Sequence, residues 1–303
     1  MTIVVPTVDL AALLPSWKLA LQADRKSSQT VEAYTTGVRL FLEWCADSGH
    51  APVLDRVTVR SWVTELVNEG AAPATARSRL MALKRYSWWL VDEDEADVDA
   101  IRDLKPPKLA DKVVEGLTDE QCAALVKACA GKAFIDRRDE AVARLMIETG
   151  LRAREVLGLT VEDVDAQRGL AVIQHGKGDK GRPVPFGPEA ARAIDRYKRM
   201  RAKHPKAHTD ALWLGGGGQG FGYHGLDVTM KRRAAAAGIT GFHLHLLRNT
   251  AATRWLRAGG SEQGLMAVAG WRTREMLDRY TKASAAERAA DESRKLDLGN
   301  LGI

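Results

Sequence analysis

The stretch between Arg102 and Glu115 interrupts the helical patterning of this chain and divides it into two parts. It holds the pair Pro106-Pro107, and its charged residues follow neither a helical nor a strand period. Such composition predicts an extended linker. In a chain of 303 residues, each part is long enough to bury its own core. We therefore expect a domain at 1–103, a linker at 104–116, a second domain at 117–284 and a C-terminal tail at 285–303.

The first part has the periodicity of a helical bundle. Apolar residues such as Val31, Val38 and Phe41 recur on one face of a helix that begins near Ser27, and two further helices follow. We expect Trp62, Trp88 and Trp89 to lie in the core, because each occurs at helical spacing with other apolar residues. The first 15 or so residues have little periodicity and are interpreted as a tail or a docking strand.

Charge and cysteine content narrow the class of protein. Lys and Arg number 45 against 39 acidic residues, a net charge of +6, which weakly favours nucleic acid as a partner. The three cysteines Cys45, Cys122 and Cys129 fit no metal site and indicate small core residues in a reducing compartment. No apolar run reaches the ~20 residues of a membrane helix, so we expect a cytoplasmic protein. We also expect that it needs no metal.

The second part contains several basic residues in distinctive contexts. His245 and Arg248 are three residues apart on a predicted helix, and Tyr280 follows Trp271 by nine residues. HxxR alone is common on basic surface helices, so it is not specific. Two further groups give it context: Arg152 at the start of a helix, with Glu155 one turn later, and Lys177 at the tip of a predicted β-hairpin. The hairpin glycines lack the spacing of a nucleotide-binding loop.

In order and spacing, this set resembles the tyrosine recombinase family, which includes the phage integrases. The resemblance implies a mainly α fold with a small antiparallel β-sheet: a helical core-binding, SAM-like DNA-binding domain followed by an α+β catalytic domain. The chain has no room for the arm-binding domain of larger integrases. The implied catalytic residues are Arg152, Lys177, His245, Arg248, Trp271 and Tyr280. The sequence departs from the family pattern at Trp271, where His is usual, and at Asn249, where His is frequent.

The chemistry of these groups suits cleavage of a phosphodiester without a cofactor. Two fixed guanidinium groups, Arg152 and Arg248, can balance charge on the phosphate oxygens. Tyr280 is the expected nucleophile and His245 the expected acceptor of its proton. The family resemblance makes Lys177 the acid for the leaving 5′ oxygen. Trp271 can donate one hydrogen bond but cannot transfer a proton.

The expected partner is double-stranded DNA at an attachment or crossover site. Further cations are candidate DNA contacts: Lys26, Arg39, Arg77, Arg79, Lys84, Arg85, Lys180 and Arg182. For each of the first six, which lie in the helical bundle, an ordinary solvated helix face is at least as good an interpretation. A basic helix from Pro188 to about Lys203 is either DNA-facing or simply solvated.

The resemblance further implies a 3′-phosphotyrosyl intermediate, a Holliday junction and a homotetramer on DNA formed from monomers in solution. It leaves open an accessory DNA-bending or directionality factor. The tail either docks on a neighbouring protomer or frays. We expect a site-specific recombinase, a phage or prophage integrase acting in the cytoplasm or nucleoid of a bacterial host. The alternatives are a type IB topoisomerase-like enzyme and a non-catalytic DNA-binding regulator.

Overall fold

The chain forms two compact units, Met1–Ala110 and Asp111–Ile303. The structure is a computed structural model, and it describes residues 8–108, 116–174, 181–218, 220–281, 289–290 and 293–294. Lys177, Lys180, residues 109–115 of the expected linker and most of the expected tail lie outside the described residues.

The first unit is a bundle of helices. They are α1 Leu10–Ala23, α2 Ser28–Asp47, α3 Arg56–Asn68 and α4 Pro73–Asp92. Side chains cap the first three: Asp9, Ser27 and Asp55 each accept hydrogen bonds from backbone N–H groups of the following turn. Pro73 starts α4, where its missing N–H has no helical partner to lose.

Helix α1 was not expected from the sequence. Its inward side chains Leu10, Trp17 and Leu21 are buried in the bundle, and the Tyr86 hydroxyl donates to the Leu10 carbonyl at 2.6 Å. The segment contains Pro15 and has a weak apolar period of its own. Tertiary packing therefore stabilises a helix that local sequence barely indicates.

The tryptophan prediction is correct at two of three positions. Trp62 and Trp89 are buried, whereas Trp88 is 53% exposed. The buried face of α4 includes Leu83, Tyr86, Trp89 and Leu90, and Trp88 points about 100° away from Trp89, on the side of the helix that faces solvent. Helix α4 also approaches α2 closely, since a Cβ on Gly37 would lie 2.7 Å from the Ala82 Cβ.

The second unit is mostly helical, with one small antiparallel sheet, which confirms the predicted fold class. Its elements, in order, are α5 Asp119–Ala128, α6 Phe134–Thr149, α7 Ala153–Leu157, β1 Val164–Asp165, β2 Leu170–Ile173, β3 Arg182–Pro185, α8 Pro188–Arg201, α9 Tyr223–Ala236, α10 Leu244–Arg257, α11 Glu262–Ala269 and α12 Arg274–Thr281. The sheet order is β1-β2-β3, and Ala171 pairs with Val184.

Helix α6 is the central element of this unit and positions the site. It packs against α8 and α10, and its Val142, Leu145 and Met146 are buried in the main core. Gly150 ends α6 in a left-handed conformation with φ 64°, which a residue with a side chain adopts only at a cost. The chain then turns directly into Arg152 and α7.

Helix α8, the basic helix, directs three of its cations into the unit. Arg196 donates to Glu140 at 2.9 Å, and Lys198 donates to the carbonyls of Val161 and Val164 at 3.0 and 2.9 Å. Arg201 is buried and donates to backbone carbonyls between residues 207 and 212. These three cations therefore hold the unit together, whereas Arg192 and Arg199 on the same helix stay exposed.

The three cysteines are buried and free, as expected of core residues. Burial raises the pKa of the Cys45 thiol to about 11 and that of Cys129 to about 12, so both stay protonated and unreactive at neutral pH. Across the described residues, every helix is too short or too polar to cross a membrane.

Candidate active site

The first cation of the site, Arg152, lies at the turn between α6 and α7. Its backbone N–H donates to Glu155 at 2.8 Å, and its Nη1 donates to the other oxygen of the same carboxylate at 3.0 Å. About a third of the Arg152 side chain is exposed, against 7% for Glu155. The buried carboxylate therefore fixes an arginine that still reaches the surface.

Arg248, on α10, is the second cation and is buried, with 3% of its surface exposed. Its Nη1 donates to the Gly150 carbonyl at 2.7 Å, and its Nη2 donates to the Ala269 carbonyl at 2.8 Å. These bonds join the ends of α6 and α11 to α10. Burial lowers the pKa of Arg248 to about 10, and the nearby charge of Arg152 acts in the same direction. Arg248 is still a cation at neutral pH.

Tyr280, on α12, is held between an aromatic ring and an amide. Its ring stacks on Trp271 with centroids 4.9 Å apart and planes 15° apart, and its hydroxyl donates to the Asn249 Oδ1 at 2.9 Å. The Arg248 guanidinium carbon lies 5.3 Å from the centroid of Trp271. Arg248, Asn249, Trp271 and Tyr280, each less than 10% exposed, therefore form one buried cluster.

His245 occupies the first turn of α10, one helical turn before Arg248, and its side chain is exposed. The described part of the site thus combines one exposed imidazole, one partly exposed arginine, one buried arginine and a phenol. Such an arrangement can bind an anion from the surface side, since its cations are fixed before the anion arrives.

Arg182 was a candidate DNA contact, but its side chain is mostly buried. Only 13% of its side chain is exposed. Its Nη1 and Nη2 donate to the two oxygens of Glu155 at 3.1 and 3.0 Å, and its Nε donates to the Val268 carbonyl at 2.9 Å. The guanidinium is turned inward, where a phosphate on the surface cannot reach its forked donors.

Glu155 is the acidic partner of both Arg152, which reaches the surface, and Arg182, which is turned inward. Its burial acts to raise its pKa, but hydrogen bonds from Arg182 and from the Arg152 backbone, together with both positive charges, hold the pKa of Glu155 below its usual value. The sequence signalled Glu155 only through its capping-box spacing from Arg152. Nothing in the sequence pointed to Asn249 as the partner of Tyr280.

The candidate DNA contacts of the first unit differ in their environments. Arg77, Arg85 and Lys26 are exposed. Arg39 is exposed but pairs with Glu43 at 2.6 Å, and Arg79 is half-buried. Lys84 is half-buried and donates to the Leu104 carbonyl at 3.0 Å.

Known proteins resemble both units. The family model described as "Phage integrase family" matches residues 115–287, and the one described as "Phage integrase, N-terminal SAM-like domain" matches residues 14–94. Tyrosine recombinase XerC 2 of Ralstonia nicotianae is 32% identical over 276 residues, covering 88% of this chain and 80% of that protein. Tyrosine recombinase XerC of Corynebacterium efficiens is 29% identical over 264 residues, covering 86% of this chain and 83% of that protein.

Solved structures share the fold. The XerH site-specific recombinase bound to palindromic difH substrate, in a post-cleavage complex, gives a TM-score of 0.74 at 18% identity, covering 95% of this chain and 85% of that chain. A lambda integrase tetramer bound to a Holliday junction gives a TM-score of 0.67 at 14% identity, covering 88% of this chain and 78% of that chain. With family models matching in both units and a relative at 32% identity over most of its length, this chain belongs to the phage integrase family and is a site-specific tyrosine recombinase.

Proposed function

We propose that this recombinase breaks and rejoins double-stranded DNA through a covalent bond between Tyr280 and a DNA 3′ phosphate. The observation that carries the proposal is the buried cluster of Arg248, Asn249, Trp271 and Tyr280. In it the phenol stacks on Trp271 at 4.9 Å, and the Arg248 guanidinium lies 5.3 Å from the same indole. A phenol beside a fixed cation is suited to act as a phenolate, because the cation stabilises the negative charge.

In the proposed step, the Tyr280 oxygen attacks the phosphorus, a Tyr–O–P bond forms and the bond to the 5′ oxygen breaks. Arg152 and Arg248 balance the charge that develops on the non-bridging oxygens, a contribution of about 10²- to 10³-fold in rate for one well-placed donor. His245 accepts the phenol proton, Lys177 protonates the departing 5′ oxygen, and Trp271 supports the tyrosine. Attack by a 5′ hydroxyl reverses these steps, so that rejoining requires no ATP and no metal.

We extend the proposal to the roles of the two domains, the assembly on DNA, the DNA sites and the tail. The residues from 1 to 103 act as the DNA-binding domain and those from 117 to 284 as the catalytic domain, joined through 104–116. The protein is a monomer in solution and a homotetramer on paired DNA sites, exchanging strands through a Holliday junction. Its sites are the attachment sites of a phage or prophage in a bacterial cell, where an accessory bending or directionality factor can take part. The tail 285–303 docks on the neighbouring protomer.

Covalent trapping tests the proposal. The wild-type chain and Tyr280→Phe are incubated with nicked suicide duplexes made from the DNA that flanks the gene, then denatured in detergent and separated by size. We expect a slower-migrating protein–DNA species with the wild type, and none with Tyr280→Phe. The phenylalanine ring keeps the stacking surface on Trp271, and thermal melting of both proteins checks that they remain folded.

The sequence dependence of the adduct separates the outcomes. An adduct confined to particular flanking duplexes supports a recombinase and locates its site. An adduct on every duplex would instead indicate topoisomerase-like chemistry. Tight binding without any adduct would contradict the proposal and favour a DNA-binding regulator.

A further inference from the structure

Arg182, the first residue of β3, occupies a position where three structural elements meet. Its Nε donates to the Val268 carbonyl near the end of α11, and its two terminal nitrogens donate to the two oxygens of Glu155 on α7. All three distances are between 2.9 and 3.1 Å. A planar guanidinium is the one side chain that can make this fork and a third, divergent bond together.

The carboxylate of Glu155, to which Arg182 donates two hydrogen bonds, also orients Arg152. Glu155 accepts from the Arg152 backbone at 2.8 Å and from its Nη1 at 3.0 Å. Its two oxygens are therefore shared between an internal arginine and an arginine that reaches the surface. A change in the Arg182 fork must change the position or the charge of the group against which Arg152 rests.

The turn after α11 is also shaped around Arg182. Gly270 has φ 65°, and a Cβ built there would lie 2.8 Å from the Arg182 Cζ. Trp271, the stacking partner of Tyr280, is the next residue. The guanidinium therefore packs beneath the turn that leads into the buried aromatic pair.

We propose that Arg182 is a positioning residue of this recombinase, which holds Arg152 through Glu155 and holds the Trp271 turn through the Val268 carbonyl, without contacting DNA. This inference rests on the proposed function, because it assigns Arg182 a part in presenting the groups that act with Tyr280. Misplacement of reacting groups by about 1 Å can lower a rate on the order of 100-fold.

The first test compares Arg182→Lys and Arg182→Gln with Arg168→Gln, a control arginine whose side chain is 83% exposed. The rate of Tyr280-dependent adduct formation is measured over a series of DNA concentrations and salt concentrations. We expect both Arg182 variants to lose about 10- to 100-fold in the rate at saturating DNA, while the half-saturating DNA concentration and its salt dependence stay at wild-type values. Lysine keeps the charge but not the fork, so charge alone should not restore the rate.

A pH profile distinguishes positioning from general stability. Arg182→Gln removes hydrogen bonds that hold the Glu155 carboxylate ionised, so the acidic limb of the rate profile should move to higher pH. The profile of Arg168→Gln should match the wild type. Melting curves at each pH confirm that the folded fraction is not what changes.

Gly270→Ala is expected to displace the Arg182 guanidinium, because the added Cβ would lie 2.8 Å from the Arg182 Cζ. Gly238→Ala is its matched control. Both glycines have positive φ, 65° and 73°, but a Cβ on Gly238 meets nothing within 4 Å. We expect Gly270→Ala to reduce the saturating rate about as much as Arg182→Gln does, and Gly238→Ala to leave it unchanged.

Three results would overturn the inference. A higher half-saturating DNA concentration with a weaker salt dependence would make Arg182 a DNA contact. A loss of rate that only follows the loss of folded protein, with an unmoved pH profile, would make it structural. Wild-type rates in the Arg182 variants, with an adduct still abolished by Tyr280→Phe, would remove this inference alone, whereas a wild-type chain that forms no adduct would remove the proposed function with it.

Discussion

The buried hydroxyl of Tyr280 shows how single side chains set the resting state of the site. It donates to the Asn249 amide oxygen at 2.9 Å, and both residues are less than 10% exposed. An amide oxygen accepts a hydrogen bond but takes up no proton at neutral pH. The proposed attack by Tyr280 therefore requires the phenol to exchange this bond for one to a basic group.

A double-mutant cycle measures the bond itself. Asn249→Ala, Tyr280→Phe and the double variant are compared by the free energy of unfolding in urea. Each single variant removes the bond, so the second change should cost less in the presence of the first, with a coupling of about 1 kcal/mol. Strictly additive effects would contradict the hydrogen bond.

At the scale of elements, charged side chains join helices and strands that the apolar core alone would leave loosely oriented. Glu155 on α7 binds Arg182 on β3, and Arg248 on α10 binds the carbonyls that end α6 and α11. Because Glu155 and Arg182 are mostly buried, the contribution of their ion pair to stability depends on both groups keeping their charges.

Glu155 makes this stability depend on pH in acid. Its pKa is held below the ordinary value in the folded chain, against about 4.3 in the unfolded chain. Its contribution is therefore complete above about pH 4.3 and is lost as the pH falls through the lower, folded value. Glu155→Gln should be less stable at pH 7 by about 3 kcal/mol, because it leaves a buried arginine unpaired.

The measurement is the free energy of unfolding of both proteins from pH 7 to pH 3. The difference between wild type and Glu155→Gln should shrink below about pH 4.3. A difference that stayed constant over this range would show that Glu155 is not the titrating group.

Element boundaries in the second unit could largely be predicted from the sequence, because caps and turn glycines are local signals. Thr118 and Gln121 have the three-residue spacing of a capping box and form one at the start of α5, and Gly270 ends α11 in the left-handed conformation that glycine favours. Helix α1 could not be predicted in this way, since Pro15 weakens its local signal and its hold on the bundle comes from distant residues such as Tyr86.

At the scale of the whole molecule, a net charge of +6 is small, so the arrangement of cations matters more than their number for binding a polyanion. Helix α4 carries Arg77, Lys84 and Trp88 at helical spacing, with Arg85 beside them. Of these cations, Arg77 and Arg85 are exposed, while the Lys84 ammonium already donates to the Leu104 carbonyl. Exposed cations are the ones available to replace counterions on DNA.

The salt dependence of DNA binding tests this surface. Arg85→Ala should reduce the slope of log affinity against log salt concentration by about 1, the loss of roughly one phosphate contact. Lys84→Ala should leave the slope unchanged and lower the melting temperature instead. Equal slopes for Arg85→Ala and the wild type would exclude Arg85 from the DNA contact.

The sequence by itself determined the division into two parts, the helical character of both, the order of the basic motifs and the family. These features depend on periodicity, caps and motif spacing, which are set by residues close together in the chain. Only the tertiary structure decided which charged groups meet. It turned Arg182 and most of the cations of α8 inward, exposed Trp88, and joined Tyr280 to Asn249. The reason is physical: long charged side chains reach partners far away in sequence, and burial decides whether a cation faces solvent or a carboxylate.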